Sequence, residues 1–232
     1  MHEHVAADLE LNRHHVVRTI VGALVVLNVL NAINIVLIDR GHWLMMAVER
    51  NPFTWFESAL FAMTAGLAWL VGRVERSGTW NLVAAVLLLL SIDEVATIHE
   101  HLGFIPGTPD IGSRTWIGAG LVLVGLVAAR LLPWVLGLPR QLRVAFLLSG
   151  TTFVTGAIGF EWLAGSWLES HGDDRVFFVI SSLEEDFEVL GILLLARQLL
   201  VHLAARGTVL GLRVTAGSPA TGAHPEVPPV SA

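Results

Sequence analysis

The chain contains no lysine, no cysteine and no tyrosine, and charged residues make up only 15% of its 232 positions. Each absence excludes something. Without lysine there is no Schiff base, which removes the retinal pumps. Without a thiol there is no disulfide, no thiolate metal ligand and no cysteine nucleophile, and the composition says nothing about redox compartment. Soluble domains usually carry about 25% charged residues. The 15% here, with 54% hydrophobic residues and a mean hydropathy of +0.67, defines an integral membrane protein. All fourteen basic residues are arginine, and the net charge is -6. No basic patch is present, which argues against a nucleic-acid partner.

Windows of about 19 residues place six apolar spans at 16–38, 54–72, 79–102, 115–131, 144–168 and 176–203. The expected fold is all-α: a polytopic membrane protein with a six-transmembrane-helix bundle over 16–203. A cytoplasmic segment, 1–15, precedes it, and a Gly-, Pro- and Ala-rich tail, 204–232, reads as disordered. "MHEHVAADLELNRHH" carries three acids where a signal peptide has a positive n-region, so the first helix is expected to be retained. Ten arginines (Arg13, Arg18, Arg73, Arg76, Arg130, Arg140, Arg143, Arg197, Arg206, Arg213) fall on one side of this topology and four (Arg40, Arg50, Arg114, Arg175) on the other. Basic residues concentrate in short cytoplasmic loops. Both termini are therefore expected in the cytoplasm, with the bundle in the plasma (inner) membrane.

Against this background "SLEEDFEVLG", residues 182–191, is anomalous: four acids within five positions of an apolar span. They have company. The topology puts Glu57 about one turn into the second span, and Asp93 and Glu94 ~12 Å from the outer end of the third. Glu161, Glu184 and Glu185 lie at similar depth, and Glu188 is deeper. At about 100° per residue, Glu94, Thr97, Glu100 and His101 share an arc with Asp93, and His99 falls outside it. In the sixth span Ser181, Glu184, Glu185 and Glu188 share another arc, with Asp186 outside. Gly150, Ala157, Ala164 and Gly165 lie on the Glu161 side of the fifth span, where small residues admit a neighbouring helix. Asn28 and Asn31 read as helix–helix contacts. The fourth span, apolar from Ile117 to Ala129, reads as peripheral. The inner halves form an apolar plug of Leu67–Val71, Ala84–Leu90 and Ile192–Leu195.

No arginine accompanies these acids at depth, and an ionised side chain at mid-membrane costs at least ~2.5–3.5 kcal/mol. They must be neutralised by protons, by a cation, or by both. A protonated network would be helix glue. Acids converging from several helices with a histidine resemble in kind the carboxylate sites of helical bundles, although the Glu-x-x-His pairs of ferritin-like di-iron proteins are missing: Glu94 is followed at +3 by Thr97, and Glu185 by Glu188. The candidate metal ligands are Glu57, Glu94, His101, Glu161, Glu185 and Glu188, and the candidate proton-transfer groups are Asp93, Glu100 and Glu184. A site so rich in oxygen suits one or two divalent ions, with iron or manganese favoured over zinc. His14 or His15 with His202 offers a bis-histidine haem site at the inner face, though such ligands usually lie deeper.

Three classes of function fit. One is a metal-dependent enzyme open to the outer face, with membrane lipids around it and a lipid or lipid-like small molecule as substrate. The others are a proton or divalent-cation transporter and a non-catalytic subunit with a protonated carboxylate network. A transporter needs polar steps to both faces, and the apolar inner half favours the enzyme.

Overall fold

A computed structural model describes residues 13–37, 45–46, 51–101 and 115–206. The expected N-terminal segment, except 13–15, and the expected tail from 207 on lie outside them. Among the described residues every regular element is helical: α1 (Arg13–Leu37), α2 (Pro52–Glu75), α3 (Gly78–Ala96), α4 (Ile98–His101), α5 (Thr115–Gly137), α6 (Arg140–Val154), a π-helical stretch (Thr155–Phe160), α7 (Glu161–His171) and α8 (Arg175–Ala205). Six of the helical runs are long and apolar enough to cross a membrane, with α6, the π stretch and α7 forming one of them, Arg140–His171. The protein is a multi-pass membrane protein.

Local chemistry sets the helix boundaries. Asn51 caps α2, its Oδ1 accepting the Phe53 and Thr54 N–H groups at 2.6 and 3.1 Å, and Pro52 fills the first helical position, where no N–H is needed. Asp174 caps α8 in the same way, accepting from Val176 and Phe177. The Phe177 N–H, together with those of Trp167 and Val176, holds its carboxyl below the usual carboxylate range. The α2–α3 hairpin turns tightly through Arg76 at φ 52°, and a Cβ at Gly72 would meet Asn81 Oδ1 at 2.8 Å.

The core runs along α2, α3 and α8, where Leu60, Phe61, Ala68, Val71, Val83, Leu87, Val189, Ile192, Leu195 and Leu199 are buried together. This is the apolar plug expected from the sequence. At the end that holds the α2 C-terminus, Trp80 is fully buried, edge-on to Trp134 at 4.9 Å and beside Phe146 at 5.6 Å. Glu75 closes that end, accepting from Trp80 Nε1 (2.8 Å) and His202 Nε2 (2.6 Å) and pairing with Arg206 (2.8 Å). His202 thus has a carboxylate partner at Nε2, and the side chains of His14 and His15 lie outside the described residues. Most of α5 is exposed, as a peripheral span should be.

Two features depart from uninterrupted helices. The third span stops at Ala96, because Thr97 adopts the left-handed conformation (φ 49°), and α4 restarts in a new direction. The fifth span carries the π-helical stretch, an inserted residue of the kind found at functional sites.

Candidate metal centre

Three carboxylates from three helices converge. Glu57 (α2), Glu94 (α3) and Glu188 (α8) each place an oxygen within 4.8 Å of the others, a spacing that one cation can bridge. Glu57 is 1% exposed, and among the described residues no group donates a hydrogen bond to either of its oxygens. Its polar neighbours are other carboxylates: Glu94, Glu188, and Glu185, which comes close enough to share a proton with it. Buried oxygens of this kind ordinarily have a donor or a cation.

The helices reach this arrangement through small polar contacts beside the acids. Ser58 and Ser91 cross-link α2 to α3, each hydroxyl donating to the other residue's carbonyl, at 2.8 and 2.9 Å. The link lies next to Glu57 and one turn before Glu94. On the opposite side Gly156, in the π stretch, lies directly against α8: a Cβ there would meet Glu184 O at 2.8 Å and Glu188 Cγ at 2.9 Å. One turn beyond Glu188, Gly191 packs against Phe153 and Ser149, and Ser149 Oγ donates to its carbonyl at 2.6 Å. Ala164 and Gly165 are buried, as expected of small interface residues, but Gly150 is exposed. The π stretch changes the helical register between Gly150 and Glu161, so an uninterrupted 100° step misplaces Gly150 and hides the role of Gly156.

A second pair flanks the triad. Glu184 faces Glu161 within hydrogen-bonding reach, with Glu188 near enough to act on both this pair and Glu57. Trp116, at the start of α5, donates from Nε1 to Glu161 Oε1 at 3.3 Å. The acids thus run in one band from α3 through α2 and α8 to α7, ending on an indole.

Asp93 does not join this band. Its Oδ1 accepts the His99 backbone N–H at 2.9 Å and its Oδ2 meets His99 Nδ1 at 3.0 Å, with both side chains a little over a quarter exposed. The angular reading put His99 off the Asp93 arc; the break at Thr97 swings it back. The same break leaves His101 exposed, its Nδ1 2.7 Å from the Thr97 carbonyl oxygen. The side chain of Glu100 lies outside the described residues. His99 also packs against Trp116, ring centroids 5.0 Å apart, so the indole joins the Asp93–His99 pair to Glu161. Trp116 lies at the start of an otherwise apolar span, and its contacts with Glu161 and His99 are visible only in three dimensions. Asp186, the outlier of its helix, accepts from Asn28 at 2.8 Å, and Asn31 donates to Ser182 Oγ at 2.7 Å. These bonds tie α1 to α8 as the asparagines suggested.

Residues 19–203 match the family described as domain of unknown function DUF8692, and the chain belongs to that family. No curated protein and no solved structure matches it.

Proposed function

We propose that the protein is a metal-dependent enzyme of the plasma membrane, acting on a lipid or another membrane-soluble molecule that reaches the carboxylate band from the outer half of the bilayer. Glu57 carries this reading: a wholly buried carboxylate whose polar neighbours among the described residues are other acids, gathered with Glu94 and Glu188 at a spacing one cation can satisfy. Glu57, Glu94 and Glu188 are the ligands and Glu185 stands beside them. The Glu161–Glu184 pair is a second place for an ion that shares Glu188. Oxygen donors favour iron or manganese over zinc, and such an ion polarises a bound oxygen as a Lewis acid. Glu184 and the Asp93–His99 pair are placed to move protons at the edge of the band. The apolar packing of α2, α3 and α8 beyond the acids supports access from one side, which favours an enzyme over a transporter.

The test is elemental analysis of protein purified in mild detergent. The wild type should retain a divalent ion, Glu57→Gln should lose it, and Glu169→Gln, which changes an exposed acid outside the band, should keep it. A wild type that is metal-free after purification in metal-supplemented buffer would favour the protonated-network reading instead.

A further inference from the structure

We propose a binding site for an anionic phospholipid between α3 and α5, at the end of the bundle away from the carboxylates. α5 is held at two points. Trp116 contacts His99 and Glu161 near its start, and Trp134 packs on Trp80 near its end. The two are ~27 Å apart along the helix axis. Between them α5 stands off from α3 and leaves a cavity of about 160 Å³, lined by Leu82 and Val86 of α3 and by Leu126, Val127, Leu131 and Arg130 of α5. Apart from Arg130 the lining is aliphatic. The space is an open groove with aliphatic walls, suited to part of an acyl chain.

Arg130 selects the headgroup. It lies seven residues before the end of α5, ~10 Å along the axis, and among the described residues no carboxylate pairs with it. Glu75, an acid at this end, is already bound to His202, Trp80 and Arg206. The whole stretch 115–154, covering α5 and α6, contains three arginines (Arg130, Arg140, Arg143) and not one acid. Arg143 is drawn to the end of α5 by its bond to the Leu136 carbonyl at 3.0 Å. An arginine stem that follows an apolar groove while its guanidinium extends to the headgroups is the usual way this side chain sits in a bilayer, and a guanidinium matches a phosphate bidentately. With Arg130 in the lining, three arginines and no acid on α5 and α6, a headgroup that adds an ammonium is disfavoured and an anionic one is favoured. The site makes no use of the carboxylate band and stands whether or not that band binds a metal.

Native mass spectrometry of the detergent-purified full chain tests it, with phosphatidylglycerol and phosphatidylcholine of identical acyl chains as probes. Phosphatidylglycerol should be retained preferentially. Arg130→Gln should weaken that retention roughly fivefold, the equivalent of the ~1 kcal/mol that one basic residue contributes at an anionic membrane surface. Val127→Trp, which fills the groove and leaves Arg130 in place, should weaken retention of both lipids. Arg197→Gln is the matched control: Arg197 is also exposed, eight residues from the end of its helix, but does not line this cavity. Equal losses in Arg130→Gln and Arg197→Gln would overturn the proposal, as would equal retention of the two lipids by the wild type. Displacement of the lipid by glycerol 3-phosphate, which has the headgroup charge without the chains, would overturn it as well.

Discussion

Glu57 carries two acceptor oxygens to a buried place where, among the described residues, its polar neighbours are other carboxylates. Removing the partner of a buried charge typically costs 3–5 kcal/mol, so whatever neutralises Glu57 contributes to the stability of the fold. If a cation does so at 100 times its Kd, its removal lowers stability by about 2.7 kcal/mol, or ~5–10 °C in Tm for a chain of this size. Chelator should therefore lower the wild-type Tm by that amount and leave Glu57→Gln unchanged, as read by a thermal-shift assay; a network of shared protons would ignore the chelator. The candidate acids were legible in the sequence because no arginine lies at their depth. Which of them meet was not. Glu57, Glu94 and Glu188 come from three different helices, and their convergence depends on axial rotation, which the Ser58–Ser91 link sets between α2 and α3. His99 and His101 exchange the places expected of them because one residue, Thr97, takes a positive φ that its β-branched side chain gives no reason to anticipate.

Among the elements, the fifth span shows most clearly what a period of 3.6 misses. Hydropathy places a crossing at 144–168, inside the observed Arg140–His171, which is 32 residues long. The π stretch inside it leaves the composition unchanged but alters the face that each later residue presents. Gly156→Ala should push on the α8 backbone at Glu184 and on Glu188, costing ~1–3 kcal/mol and weakening ion retention. Gly150→Ala, six residues earlier with nothing within 4 Å of its new Cβ, should be neutral or slightly stabilising, since alanine is the better helix former. Comparing the Tm and metal content of the two variants checks the register directly. Equal effects would mean that the helix runs without the π stretch.

At the scale of the molecule, the two ends of the bundle have different chemistry. One holds the carboxylate band; the other holds the Trp80 cluster, with Glu75 locked by His202 and Arg206. The arginine asymmetry predicts that the second end faces the cytoplasm. A cytoplasm-active reporter fused after Ala232 should be active and a periplasm-active one silent; the reverse result would put the acids on the inner side. The six crossings were readable from composition because hydrophobic length alone decides them. The packing order within the bundle, with α2, α3 and α8 central and α1 and α5 outside, was only partly readable, since away from the acids and asparagines the spans are apolar on every face.

The three converging carboxylates are also separated in time. Synthesis proceeds from the N-terminus at ~5–20 residues per second, and Glu188 follows Glu57 by about 130 positions. α2 and α3 are therefore made several seconds before α8 exists. Only when the last helix docks, with Gly156 against Glu184 and Glu188, is the third oxygen delivered. If these acids hold a cation, only a chain that has reached α8 can capture it, and a product truncated before α8 carries two of the three carboxylates.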